Sequence, residues 1–179
     1  MKPPHLQIFE DLPAHEFFKM SKKAAKTFKI MGDYPDALGY DKESGGFLAL
    51  HRRHSATGLE QELGVCLYLK SLGFVVTLLE EAGSFIAADV QIGTEIFEIK
   101  RISNARNIER AVVFQFRTAY RKSKNLILHI EQRVEFGSLR NALFKGCQKY
   151  ASIQTVWVVV GTILWQFDRI TILKGKHRF

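Results

Sequence analysis

Between Phe74 and Lys174 the chain switches repeatedly between two hydrophobic periods, and that switching limits the folds open to it. Short runs rich in β-branched and aromatic residues read as strands: FVVTLL (74–79), FIAADVQI (85–92), EIFEIKRI (95–102), NLILHI (125–130), QTVWVVV (154–160), TILWQF (162–167) and RITILK (169–174). Longer stretches with apolar residues three and four apart read as helices. One runs from a Thr57 cap to about Leu72, with Gly73 as its stop; others span Asn104 to about Lys122 and 137–150. Interleaved strands and helices bury their apolar faces only in layers. The expected class is therefore α/β (α+β), a mixed central sheet flanked by helices.

Upstream, residues 1–13 hold three of the four prolines and read as a loose arm. Phe17, Phe18, Ala24, Ala25, Phe28 and Met31 recur at helical spacing, which predicts an amphipathic helix over 14–31. Residues 32–46 (GDYPDALGYDKESGG) read as a connector, so the expected division is 1–44 and 45–179. The chain has 179 residues, 46% of them hydrophobic, enough for one domain with a real core. No apolar run approaches the roughly 18–20 residues of a membrane span. Met1-Lys2-Pro3-Pro4 leads into no apolar stretch, so no signal peptide is expected. Cys66 and Cys147 fall in helical patterns, and reduced, buried thiols are expected of both.

Charge is concentrated. Residues 100–149 carry twelve Lys and Arg against Glu109, Glu131 and Glu135, a net of +9, while the whole chain is +8. A solvated helix face is the ordinary meaning of such a run. Confinement of the whole excess to one segment favours a phosphate-binding surface.

The chemistry lies in one expected hairpin. A two-residue turn at Gly93-Thr94 pairs Ile92 with Glu95 and so sets Asp89 opposite Glu98. Lys100, two residues on, shares their face, while Phe97 and Ile99 point to an apolar face expected to be core. Two like charges directly opposed destabilise a sheet. A cation between them would remove that cost. Mg²⁺ is commonly held by one or two carboxylates plus substrate phosphate oxygens and waters. A neighbouring lysine can orient the attacking water and stabilise charge developing on phosphorus.

A helix bearing Glu62, strands carrying Asp89 and then Glu98-Ile99-Lys100, and a following helix with Gln115 together resemble the PD-(D/E)XK nuclease superfamily. From Gly45 to about Ile130, the run GGFLALHRRH, the acidic helix, FVVTLLEE, AADVQIGTEIFEIK and an N-x-x-N-I helix start resemble more closely the C-terminal tRNA-nuclease domains of contact-dependent growth inhibition toxins and similar polymorphic bacterial toxins. The resemblance implies a restriction-endonuclease-like core and an endonuclease dependent on Mg²⁺ or Mn²⁺. Its metal ligands would be Glu62, Asp89, Glu98 and the Ile99 carbonyl, and Lys100 would position the water. In that family the lysine can sit on the neighbouring helix, which gives Arg117 or Lys122 a share in the role. The resemblance also implies tRNA as substrate, delivery from a larger secreted toxin into a target-cell cytoplasm, and an acidic immunity protein on the basic face. Arg101, Arg106, Arg110, Gln115, Arg117, Arg121 and Lys122 are the expected nucleic-acid contacts. A DNA endonuclease of restriction or repair type, and a nucleic-acid-binding module without catalysis, are the alternatives.

Among the remaining candidates, Glu60 competes with Glu62. Glu60 stands at capping-box spacing from Thr57, whereas Glu62 falls in the apolar stripe of Leu59, Leu63, Cys66 and Leu69, where an acid is either a folding cost or a ligand. His51 and His54 bracket Arg52-Arg53 and read as a basic loop. His129 reads as a core histidine, Glu80-Glu81 as a surface turn, and Trp157 and Trp165 as strand core. Residues 174–178 read as a disordered tail or a second phosphate contact.

Overall fold

The structure is a computed structural model, and it describes residues 39–50, 56–79 and 88–179. The expected helix over 14–31, the His51–His54 loop, Glu80-Glu81 and the first part of the 85–92 strand lie outside those residues. The chain divides into two compact units, 1–95 and 96–179.

In the first unit the strands run in the order β1 (Gly39–Tyr40), β2 (Phe47–Leu50), β3 (Val75–Leu78) and β4 (Val90–Ile92). β2 and β3 pair in parallel, with Phe47 beside Val75, and helix α1 (Ala56–Ser71) forms the crossover between them. β1 pairs antiparallel with β2, and β4 with β3. Neither β1 nor β2 is expected from the sequence. Two residues show no period, and FLAL carries no β-branched side chain. All four residues of β2 are buried, as a parallel strand covered on both faces requires. Thr57 lies inside α1, one residue after its start, and not at its cap. Gly73 does end the helix. With φ at +90° it closes a Schellman motif, its N–H donating to Lys70 O (2.9 Å) and the Phe74 N–H to Leu69 O (3.1 Å).

The second unit orders β5 (Glu95–Ile102, entered from the first unit), β6 (Asn125–Ile130), β7 (Thr155–Val160) and β8 (Ile163–Asp168). β5, β6 and β7 are parallel, and β8 returns antiparallel along β7. The sheets are therefore mixed and the fold is α/β. Helices α2 (Ile108–Ala119) and α3 (Phe136–Lys149) pack on one face. Val112, Phe116, Leu139, Leu143 and Cys147 meet Leu126, Leu128, Ile130, Val156 and Val158 there.

Three local expectations are corrected. Helix α2 starts later than Asn104, which takes φ +58°; Asn107 is the cap, its Oδ1 accepting from the Arg110 N–H at 2.9 Å. RITILK is no strand. Asp168 caps a short helix α4 (Arg169–Leu173), accepting from the Thr171 N–H and hydroxyl, both at 2.7 Å. The cap satisfies donors that a strand would have left for a further neighbour. Residues 174–179 are packed. His177 is 1% exposed, and the Phe179 ring stacks on Phe136 (5.2 Å) and meets Trp165 edge-on (5.1 Å). Cys66 and Cys147 are buried free thiols. Among the described residues no helix is long and apolar enough to cross a membrane.

Candidate active site

β5 carries the E-x-K motif, and its register with β6 decides which way the motif faces. Glu98 is level with Leu126, Lys100 with Leu128 and Ile102 with Ile130. Level residues of a sheet share a face, and Leu126, Leu128 and Ile130 form the face that α2 and α3 cover. The motif therefore points toward the helix layer. Phe97 and Ile99, on the other face, are buried as expected of core residues. Both faces of β5 are buried here, with Phe97 at 1%, Glu98 at 0% and Ile99 at 4% exposure.

A fully buried carboxylate must be compensated. Lys100 Nζ lies 2.5 Å from Glu98 Oε1, and Lys122 Nζ, one turn past the end of α2, lies 2.9 Å from the same oxygen. Glu98 Oε2 is buried with no hydrogen-bond partner among the described residues. Both lysine side chains are partly exposed, at 21% and 33%. Such an arrangement has a hard oxygen donor to spare and two cations that can meet a phosphate or a water.

Glu62 and Asp89 belong to the first unit. Both are buried, at 5% and 4% exposure. Glu62 stands on α1 four residues before Cys66. The Cys66 thiol is pushed well above its ordinary range, first by burial and then by the Glu62 and Asp89 carboxylates. Both acids thus lie within Coulombic range of one sulfur. Asp89 directly precedes β4, and its carbonyl accepts from the Leu79 N–H at 2.9 Å, prolonging the β3–β4 ladder. The Glu60 side chain lies outside the described residues. β4 ends at Ile92 and β5 starts at Glu95, so the expected turn at Gly93-Thr94 is present, with Gly93 at φ +59°. The opposition of Asp89 to Glu98 joins residues of different units and stays an expectation from that turn.

Of the expected nucleic-acid contacts, Arg106, Arg110, Arg117 and Arg121 are exposed. Arg121 donates to Tyr120 Oη (2.6 Å) and lies over its ring. Arg101 is held by Glu131, Nε to Oε2 at 2.7 Å, which offsets much of its charge. Gln115 is half-buried on α2, its Oε1 accepting from the Thr118 hydroxyl at 3.3 Å. Lys145 and Lys149, one turn apart on α3, were visible in the charge count but not as partners of α2, because a sequence does not say which helices meet. His129 is half-buried on β6. Its Nδ1 lies 3.8 Å from Glu131 Oε1, too far for a hydrogen bond, and burial holds the imidazole below its ordinary pKa.

Among the described residues no group of three or more His, Cys, Asp or Glu side chains is gathered closely enough to hold a metal. No protein-family model, curated protein or solved structure matches this chain.

Proposed function

We propose that this protein is a metal-dependent endonuclease that cleaves phosphodiester bonds, with tRNA as its substrate. The observation that carries the reading is Glu98, a carboxylate with no exposure and a spare oxygen, flanked by two lysines on a strand where an apolar residue would fold at least as well. Its oxygen donor suits Mg²⁺ or Mn²⁺, which needs only one or two carboxylates when substrate phosphates and waters complete its shell. Glu98 and the Ile99 carbonyl are the proposed ligands in the second unit, and it is the sequence resemblance that adds Glu62 and Asp89 to the set. Bound there, the ion would polarise a phosphoryl oxygen and lower the pKa of a water. Lys100 and Lys122 would orient that water and stabilise charge developing on phosphorus. Arg106, Arg110, Arg117 and Arg121 would hold neighbouring phosphates. The tRNA preference, delivery from a larger toxin and an acidic immunity protein follow from the sequence resemblance.

The test is incubation of the purified protein with total tRNA and with supercoiled plasmid, in Mg²⁺, in Mn²⁺ and in EDTA, beside Glu98→Gln. The expected result is tRNA cleavage in either metal, lost in EDTA and in the variant, with the circular dichroism spectrum of the variant unchanged. Plasmid cleavage with intact tRNA would make the protein a DNA endonuclease. Binding without cleavage in any metal would make it a non-catalytic module.

A further inference from the structure

Helices α2 and α3 leave an open groove of about 460 Å³ between them, whose lining does not include Glu98. Arg110 and Arg117 line it from α2, and Lys145 and Lys149 from α3. Its one acid, Glu109, is already held by Lys145 at 2.6 Å. Arg110, Arg117 and Lys149 have no acidic partner among the described residues, so three positive charges converge on the groove uncompensated. Phe114 stands between the two arginines, four residues after one and three before the other, and is 54% exposed. The buried stripe of α2 is Val112, Phe116 and Ala119, and Phe114 lies off that stripe. Tyr150, beneath Lys149 at 5.7 Å, floors the far side and packs on Tyr120 at 5.2 Å.

We propose that this groove binds an unpaired stretch of nucleic acid, with phosphates on Arg110, Arg117 and Lys149 and one base stacked on Phe114. An exposed aromatic ring flanked by guanidinium groups matches the alternation of base and phosphate along a single strand. A duplex keeps its base faces stacked inside and offers the ring nothing. An acidic peptide would use the cations but has no use for the ring. The inference rests on the reading of the chain as acting on nucleic acid, and it adds that the substrate is engaged through a loop or single-stranded segment. Phe114, Lys145, Lys149 and Tyr150 thereby join the interface.

The test is fluorescence anisotropy of a short fluorescein-labelled oligouridylate in EDTA, against a blunt RNA duplex and with poly-L-glutamate as competitor. The wild type should bind the single strand more tightly than the duplex. Phe114→Ala should weaken the single strand about tenfold and leave the duplex and the salt slope unchanged. Arg117→Gln should weaken both and lower the slope of log affinity against log salt by about one. Equal affinity for both nucleic acids, an unaffected Phe114→Ala, or equally effective competition by poly-L-glutamate would overturn the proposal. Cleavage of tRNA by the wild type is scored separately. Oligouridylate binding without cleavage leaves the groove standing and removes the nuclease, and cleavage without Phe114 dependence does the reverse.

Discussion

Glu98 sits where a sheet protein ordinarily keeps a leucine. Its two lysines are 21% and 33% exposed, so either can turn into water if the carboxylate is removed, whereas the carboxylate cannot follow if the lysines are removed. Stability should therefore respond asymmetrically. Glu98→Leu should leave the urea midpoint unchanged or raised. The double variant Lys100→Ala/Lys122→Ala strands a buried charge and should lose about 3–5 kcal/mol. Equilibrium urea denaturation of both variants checks this. A second residue-scale outcome concerns acid. Burial is the main cause holding His129 and His177 below the ordinary imidazole pKa. Below about pH 6.5 the unfolded chain takes up protons that the folded one refuses. Their contribution to stability is complete above that pH and is lost as pH falls through it. Urea midpoints at pH 7.5 and pH 5.0 should differ accordingly, and His177→Gln should shrink the difference.

Elements were legible wherever one period ran long enough. β3, β5, β6, β7 and β8 announce themselves by β-branched runs, and α1 and α3 by apolar residues three and four apart, although Thr57 falls inside α1 and not at its cap. β1 was hidden in a Gly- and Asp-rich connector, because a strand of two residues exists only through its partner β2. α4 was misread because Ile-Thr-Ile favours a strand while Asp168, immediately before it, caps a helix, and the cap prevailed. The contact of α2 with α3 depends on Gly146. A Cβ there would lie 2.7 Å from the ring of Phe116, which is itself fully buried and has nowhere to go. Gly146→Ala gains helix propensity worth about 1 kcal/mol and meets an overpacking cost of about 1–3 kcal/mol. The expected result is a lower melting temperature, read by thermal circular dichroism. Phe116→Leu in the same background should restore part of it.

At the scale of the whole molecule the two cysteines report on the two units separately. Cys66 lies in the first and Cys147 in the second, both buried. Burial pushes the Cys147 thiol up to about 12, and Cys66 well above its ordinary range. Neither should react with a disulfide reagent at pH 8 in the native protein, and both should react in 6 M guanidinium. In single-cysteine variants each labelling rate should follow the opening of its own unit. Alkali has the opposite sign to the histidine effect. Between about pH 9 and 12 the unfolded thiols ionise while the folded ones keep their protons, so stability should fall across that window. The charge distribution makes a further claim on the whole molecule. If the +9 segment meets a phosphate backbone, tRNA affinity should fall steeply with salt, with a log–log slope of several units in a filter-binding titration.

By itself the sequence determined the α/β class, the main strands, the helix stops and the residues able to carry chemistry, because hydrophobic period, turn chemistry and charge are local properties of the chain. Tertiary structure alone decided which face of β5 looks into the helix layer. That orientation depends on register with β6, which sits more than twenty residues away. It also decided that Lys122 returns to Glu98, that α2 and α3 enclose a basic groove around Phe114, and that residues 174–179 pack against Phe136 and Trp165. Each of these joins side chains from separate elements, and an encounter of that kind is set by packing and not by spacing along the chain.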